Sequence, residues 1–257
     1  MGRSAMLRGL GVIVGGLAGA FIGAHNPRLA WIAEGVFSLC GLAVAWFCMR
    51  DQGEPLHRVS EKEALHKSIA LLRLHPGLTW AVAAAMLYGL VLPFNHYWTP
   101  FFAARIGQTA LGYLWVPMYL ALASAGALVR SERVVFHGVS GVTLALFLAG
   151  SSLAFMGLGS GLLAPMTFLL IHELARGLYE PTLDLYIQHH VESAYRATYG
   201  SLQSFLGRMS YGVILLIVWF TTRHFASTSH LITQVWLIAG GVLVFGSFML
   251  WVLRPRP

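Results

Sequence analysis

Long apolar stretches recur along the whole chain, and each is about as long as a helix that crosses a lipid bilayer. Such a helix needs about 20 residues to span about 30 Å of hydrocarbon. Hydrophobic residues make up 57% of the 257 residues and charged residues only 11%, a balance that a soluble domain could not solvate. The sequence therefore predicts an all-α, polytopic membrane helix bundle with eight transmembrane helices. The predicted helices cover approximately residues 7–24, 29–49, 78–98, 110–129, 139–158, 162–186, 198–220 and 232–253.

Lys and Arg are unevenly distributed between these stretches. The connections on one side carry 12 of them and those on the other side carry three. Because cytoplasmic loops retain positive charge, this bias predicts that both termini lie in the cytoplasm. An even number of crossings of the cytoplasmic (plasma) membrane agrees with that orientation. A cleaved signal peptide is an alternative for the first stretch, although glycines interrupt its apolar residues.

Glycine recurs every four residues in the first stretch. Gly11, Gly15, Gly19 and Gly23 therefore lie along one face of the predicted helix. Bare glycine faces let membrane helices approach closely, so we expect this face to pack against a neighbouring helix.

The chain divides at its one long polar connection, residues 50–77. Ser60 and Glu63 have the spacing of a capping box, and Glu63 and Lys67 are an i, i+4 pair. These features predict a short amphipathic helix on the cytoplasmic surface. Residues 1–49 would then hold two transmembrane helices, and residues 78–257 a bundle of six.

Ionisable residues interrupt the sixth apolar stretch. Glu173, Arg176, Glu180 and Asp184 are separated by three, four and four positions, which places them on one face of a helix. Charged groups at membrane depth are costly, so this face cannot contact lipid. It predicts a polar interior within the bundle.

The residues around this charged face resemble the major facilitator superfamily. The order and spacing of the apolar stretches resemble that family over nearly the whole chain, but only a few positions are specific. They match the end of the family's tenth helix, the following loop and the start of its eleventh helix: Arg176, Gly177, Pro181, Tyr186, Arg196, Ala197, Thr198 and Ser201. The resemblance implies a secondary carrier that moves a small solute by alternating access.

The long linker sets the register of this resemblance. Two helices precede it and six follow it, so the chain corresponds to the fifth to twelfth helices of a twelve-helix carrier. On this interpretation the first four helices have no counterpart. Either the sequence is truncated, which we expect, or another chain supplies the missing helices.

The resemblance also implies site residues. Asn95, His96 and Tyr97 would line the outer part of the solute cavity, since the family's seventh helix faces that cavity. The segment GALVRSER, with Gly126 and Arg130, resembles a degraded copy of a family loop motif. The usual aspartate of that motif is absent, so a topogenic role for these arginines is an alternative to gating.

Helix rise predicts the depths of the charged residues. Glu173 would lie about 17 Å from the outer surface and Arg208 about 15 Å from the opposite one, close to the same level. We therefore hypothesise that Glu173 and Arg208 pair across helices or share a wet cavity with Arg176. Glu180 and Asp184 are nearer the cytoplasm and are expected to form a gate with Arg196.

An intramembrane serine protease is a function of another class. Residues 138–141 spell Gly-Val-Ser-Gly, which resembles the nucleophile motif of rhomboid proteases, with Ser140 as the nucleophile. The accompanying His-x-x-x-Asn motif is absent, because only Asn26 and Asn95 exist and neither has a histidine four positions before it. A membrane scaffold that transports nothing is a third interpretation.

No motif points to a cofactor, a metal or nucleic acid. The sequence lacks a phosphate-binding loop and a dinucleotide fingerprint, so energy would come from an ion gradient or from the solute gradient itself. The 11 histidines lack the i, i+4 spacing of a helical metal site around His172, His189 and His190. A proton relay through His172 remains an alternative, since histidine titrates near physiological pH. The expected partners are the lipid bilayer, a small solute and protons.

Overall fold

The computed structural model describes residues 2–48, 60–92, 94–130, 138–159, 161–222 and 228–255. Within these ranges the chain is helical and contains no strand, which confirms the predicted fold class. Two 3-10 turns, Gly89–Val91 and Gly112–Leu114, adjoin α4 and α7. The helices are α1 (Gly2–His25), α2 (Pro27–Cys48), α3 (Glu61–Leu74), α4 (Pro76–Tyr88), α5 (Phe94–Ile106), α6 (Gln108–Leu111), α7 (Trp115–Arg130), α8 (Gly138–Leu158), α9 (Leu163–His190), α10 (Arg196–Thr222) and α11 (Thr228–Val252).

Six segments of the described chain are long and apolar enough to cross a membrane. They are Arg28–Cys48, Pro76–Ile106, Gln108–Val129, Gly138–Leu158, Arg196–Phe220 and His230–Val252. The other two predicted crossings are helical but do not meet both requirements. The apolar part of α1, Gly11–His25, is shorter. Helix α9 has 28 residues and measures about 42 Å, but its charged face interrupts its apolar sequence. The count of eight is therefore not fully confirmed.

The α-helix of the third crossing is interrupted by the 3-10 turn between α4 and α5. From the sequence, Pro93 is expected to loosen this helix, as proline does in membrane helices, but it lies outside the described residues. Gly107 ends α5 with a φ of +81°, a conformation that favours glycine because it has no Cβ. The chain then turns directly into α6.

Helix α8 lies at the centre of the bundle, between α9 and α11. A Cβ atom on Gly240 of α11 would lie 2.5 Å from the backbone N of Ala154, so these two helices pack almost backbone to backbone. Helix α7 packs against α9, and α4 packs against α10. The apolar core that results includes buried Leu146, Leu243 and Trp236.

Helices α1 and α2 lie at the edge of this bundle. None of the residues in Arg28–Cys48 is buried, and α2 packs mainly against α1. The expected glycine face of α1 is not its contact face within the described residues, because nothing lies within 4 Å of a Cβ on Gly11, Gly15 or Gly19. A Cβ on the last glycine of the stripe, Gly23, would reach only the side chain of Ala30, at 3.8 Å.

The contact of α1 with the bundle uses a different pair of small residues. A Cβ on Gly16 would lie 2.8 Å from Cγ of Trp115, and Ala20 fits against Gly112. The bulk of the indole ring therefore decides which face of α1 turns inward. Regular glycine spacing alone does not determine which face of α1 packs against the bundle.

The linker helix α3 has the predicted cap. The backbone N–H of Glu63 donates to Oγ of Ser60 at 3.2 Å, and Lys67 pairs with Glu63 at 3.4 Å. Lys67 also donates to the hydroxyl of Tyr195 at 2.5 Å, which joins α3 to the turn between α9 and α10. This hydrogen bond raises the pKa of the Lys67 ammonium above its ordinary value.

Candidate functional site

A buried ion pair lies within one turn of α9. Nη1 of Arg176 donates to Oε1 and Oε2 of Glu173 at 2.8 and 3.1 Å. Only 3% of Glu173 is exposed, so its charge depends on this partner. The expected pair between Glu173 and Arg208 is not formed. The i, i+3 spacing already brings Arg176 to the same face of α9, and no second helix is needed.

Two tyrosines lie next to this pair. The rings of Tyr88 and Tyr179 stack at 3.9 Å between centroids, with an angle of 12° between their planes. Tyr88 lies beside the Arg176 guanidinium, so the stack connects the end of α4 to the charged face of α9. Sequence reasoning missed both rings, because an isolated tyrosine in an apolar stretch is also typical of an interface anchor.

A cavity of about 610 Å³ lies between α4, α9 and α10. Small residues on α4 and α10 make room for it, including Ala85, Gly89, Gly200 and Gly207. The two helices meet at Gly89, where a Cβ would lie 2.5 Å from the carbonyl oxygen of Gly207. The remaining lining residues are Tyr88, Leu92, Tyr179, Glu180, Leu183, Asp184, Ile187, Gln188, Arg196, Gln203, Ser204 and Arg208.

The cavity extends along α10 from the turn that follows α9 into the bundle. Arg196 and Arg208 both line it and are 12 residues apart, which corresponds to about 18 Å along the helix. Arg208 is exposed, as are Glu180 and Asp184 on the facing helix. The charged groups that line the cavity therefore extend over about 18 Å, from the turn after α9 to Arg208.

Arg196 does not form the expected gate with Glu180 and Asp184. Its Nε donates to the carbonyl oxygen of Val191, and its Nη2 to that of Gln188, both at 2.8 Å. These carbonyls belong to the C-terminal end of α9, where main-chain oxygens lack helical partners. A cation at this position is favoured by the helix dipole as well, so Arg196 caps α9.

Asn95, His96 and Tyr97 lie on α5, beyond the part of the chain that lines the cavity. Asn95 and His96 are exposed, and Tyr97 is half-buried against the core. The ring of His96 stacks on that of Tyr211, with 5.9 Å between centroids, and Tyr211 lies less than one turn beyond Arg208 on α10. The structure thus brings His96 to the same helix as Arg208, but not into the same cavity.

His172 faces away from the cavity, into the core. It is fully buried, its ring packs on Phe94 at 4.2 Å, and Nδ1 shares a hydrogen bond of 3.3 Å with Oγ of Ser152. In the described residues no group of three or more His, Cys, Asp or Glu side chains could hold a metal ion. The ring of His172 thus has Phe94 and Ser152 as neighbours, and its Nε2 has no hydrogen-bond partner among the described residues.

The loop motif with Gly126 and Arg130 lies at the end of α7, and the Gly-Val-Ser-Gly motif lies at the start of α8. A Cβ on Gly126 would meet nothing within 4 Å, and Arg130 ends α7. The side chain of Arg130 and residues 131–137 lie outside the described part of the chain. Ser140 lies in the first turn of α8, where its carbonyl oxygen accepts a hydrogen bond from Thr143 at 3.1 Å.

Comparison with known proteins supports the transporter interpretation. Residues 1–215 match the family described as the Major Facilitator Superfamily. No curated protein matches the chain. Neither the serine protease nor the scaffold interpretation gains support, since this family consists of membrane transporters. The match covers most of the 257 residues and the structure is a bundle of membrane-length helices, so the chain belongs to the Major Facilitator Superfamily.

Proposed function

We propose that the chain is part of a secondary carrier that moves a small solute by alternating access. The observation that carries this proposal is the cavity between α4, α9 and α10, which has charged and polar walls inside an otherwise apolar bundle. Groups of this kind are costly at membrane depth unless they face water or a ligand. A gradient of ions or of the solute itself would drive the movement.

The positive charges between the crossings support an orientation for this cavity. They favour a cytoplasmic position for the turn between α9 and α10, in the plasma membrane and with both termini in the cytoplasm. In this proposal the cavity opens at that turn, where Arg196 and Gln188 line it, so this conformation would be open to the cytoplasm. Alternating access needs a second helix bundle opposite the first, and in this proposal α1 and α2 belong to that second bundle.

The ion pair of Glu173 and Arg176 would couple transport to protons. It lies beside the tyrosine stack that lines the cavity, and a carboxyl group buried there can exchange its proton only when water reaches it. Replacing Glu173 with Gln should abolish uptake or efflux by the assembled carrier and leave membrane insertion intact. Unchanged transport by Glu173→Gln would remove this residue from the mechanism.

Cysteine labelling tests whether the cavity is a water-filled path. The variant Cys40→Ser/Cys48→Ser removes the two native thiols, which are both exposed. In that background, Ser204→Cys should react rapidly with a charged methanethiosulfonate, because Ser204 lines the cavity. Phe205→Cys is the matched control: Phe205 is the next residue, is 58% exposed and does not line the cavity, so it should contact lipid and react slowly.

The measurement is the rate of modification in the full chain reconstituted into nanodiscs. A slow reaction at residue 204, equal to that at residue 205, would mean that no aqueous cavity exists and would overturn the carrier proposal. Equal rapid reaction at both residues would also overturn it, because α10 would then have no lipid-facing side.

A further inference from the structure

The walls of the cavity carry opposite charges that do not neutralise each other. Glu180 and Asp184 lie on α9, Arg208 lies on α10, and the part of α4 that lines the cavity has no charged residue. Among the described residues no ion pair joins these three side chains. With Arg196 at the mouth, the lining has two carboxylates and two guanidinium groups, so its formal charges balance.

The two arginines that line the cavity differ in their contacts. The guanidinium of Arg196 is bound to main-chain carbonyls of α9. Arg208 is exposed and makes no such contact in the described structure, so its N–H donors are free to bind a ligand. A guanidinium group matches a carboxylate in shape and can hold it through two parallel hydrogen bonds.

The facing wall has the complementary chemistry. Glu180 and Asp184 are separated by four residues, which places their carboxylates side by side on one face of α9. An ammonium group has three donors, so it can bind both carboxylates at once.

A third group points to a ligand independently of these charges. Tyr179 is only 4% exposed, and its hydroxyl has no hydrogen-bond partner among the described residues. It lines the cavity beside the two carboxylates. A buried hydroxyl without a partner is unfavourable, and a small movement of the Tyr179 ring toward the cavity would let a polar ligand supply the missing hydrogen bond.

We infer that the solute is a zwitterion, with an ammonium group bound by Glu180 and Asp184 and a carboxylate bound by Arg208. Free amino acids and short peptides have this chemistry, and the cavity volume falls within the range of small-molecule sites. A simple anion would face two carboxylates, and a simple cation would leave Arg208 unpaired. This inference rests on the proposed carrier function.

The test measures whether a zwitterion protects the cavity from labelling. The Cys40→Ser/Cys48→Ser/Ser204→Cys chain in nanodiscs is labelled with the methanethiosulfonate in the presence of a mixture of free amino acids with uncharged side chains, together with di- and trialanine. Two matched mixtures serve as comparisons: the N-acetylated derivatives, which are anions, and the amides, which are cations. The zwitterions should slow labelling about tenfold when they are present at roughly ten times their Kd, and the other mixtures should not.

Variants in which charges of the cavity lining are removed should change which mixture protects the thiol from labelling. Arg208→Gln should lose protection by the zwitterions and gain protection by the amides. The double variant Glu180→Gln/Asp184→Asn should instead gain protection by the N-acetylated derivatives. Glu192→Gln is the control, because Glu192 is an exposed carboxylate on the turn after α9 that does not line the cavity. Unprotected labelling at residue 204 shows that each variant retains the cavity.

The outcomes separate this inference from the carrier proposal. If the Ser204→Cys thiol is labelled rapidly but only amides, only N-acetylated derivatives or none of the mixtures protect it, the zwitterion inference is wrong and the carrier proposal stands. If that thiol is not labelled at all, both are wrong. If the zwitterions still protect Arg208→Gln as well as they protect the parent, Arg208 is not the carboxylate site and the inference fails.

Discussion

Arg176 and Glu173 form a closed pair on a single turn of α9, with one guanidinium nitrogen donating to both carboxylate oxygens. The pair lets α9 bring two opposite charges into the bundle without a charged partner from another helix in the described structure. Breaking a buried pair from one side costs more than removing both charges, because one charge is then left without compensation.

This difference in cost predicts the free energies of unfolding of two variants. Arg176→Met should lower the free energy of unfolding by about 3–5 kcal/mol, since the Glu173 carboxylate stays buried alone. The double variant Glu173→Gln/Arg176→Met should recover most of that loss. Reversible unfolding in mixed micelles measures the free energy of unfolding of Arg176→Met, of the double variant and of Glu173→Gln. Together with the parent chain, these three variants complete a double-mutant cycle. A double variant as unstable as Arg176→Met would show that the pair is not what stabilises this region.

Gly177 allows α7 and α9 to approach closely. A Cβ at this position would lie 2.5 Å from the carbonyl oxygen of Leu122 and 2.7 Å from Cβ of Ala125. Gly177→Ala should therefore destabilise the bundle by about 1–3 kcal/mol. Gly212→Ala on α10 meets nothing within 4 Å and should be neutral or stabilising by up to about 1 kcal/mol. Equal thermal unfolding midpoints for the two variants would contradict the close approach.

Two neighbouring glycines on α1 should respond differently to a large side chain. Gly16→Leu would collide with the indole of Trp115 and should cost about 1–3 kcal/mol, whereas Gly15 has open space around it. The difference in thermal unfolding midpoint between Gly16→Leu and Gly15→Leu, each in the full chain, checks this. If Gly15→Leu were the more harmful of the two, the contact face of α1 would be the regular glycine stripe after all.

The cap that Arg196 makes on α9 can be tested by local exchange. Arg196→Ala should speed amide hydrogen exchange at the end of α9, around residues 186–191, and cost about 1.5 kcal/mol, the lower value for hydrogen bonds to a charged group. Lys62→Ala, an exposed cation on α3, is the control and should leave that segment unchanged. The same acceleration in Glu180→Gln/Asp184→Asn would mean that Arg196 acts through those carboxylates, as the gate hypothesis supposed.

Sequence reasoning located the helices because apolar length is a local property. Each of the eight predicted segments coincides with helix in the part of the chain that the structure describes, and the family was recognised from a short run of residues around Arg176 and Arg196. Pro93 gave a signal that the third crossing is disturbed, because proline loosens a membrane helix, but it did not indicate that the interruption would lie at residues 89–91.

Which helices lie next to each other is not a local property. The predictions that the structure does not match concern contacts of this kind. Periodicity placed Glu173 and Arg176 on one face, and depth placed Arg208 at the same level, but neither said which arginine would be in reach. Arg176 forms the pair because it is on the same turn, and Arg208 faces the cavity. Tyr88 and Tyr179 come together only when α4 packs beside α9, which no pattern in either helix indicates.

The hydrogen bonds from Arg196 to the last carbonyl oxygens of α9 restrict how the cavity can change its width. The two helices that face each other across the cavity are joined at its mouth by the guanidinium group, so they cannot slide apart there without breaking both hydrogen bonds. Near Arg208, α10 is also held against α4, because the hydroxyl of Ser210 donates to the carbonyl oxygen of Met86 at 2.6 Å, so any widening there has to carry α4 and α10 away from α9 together.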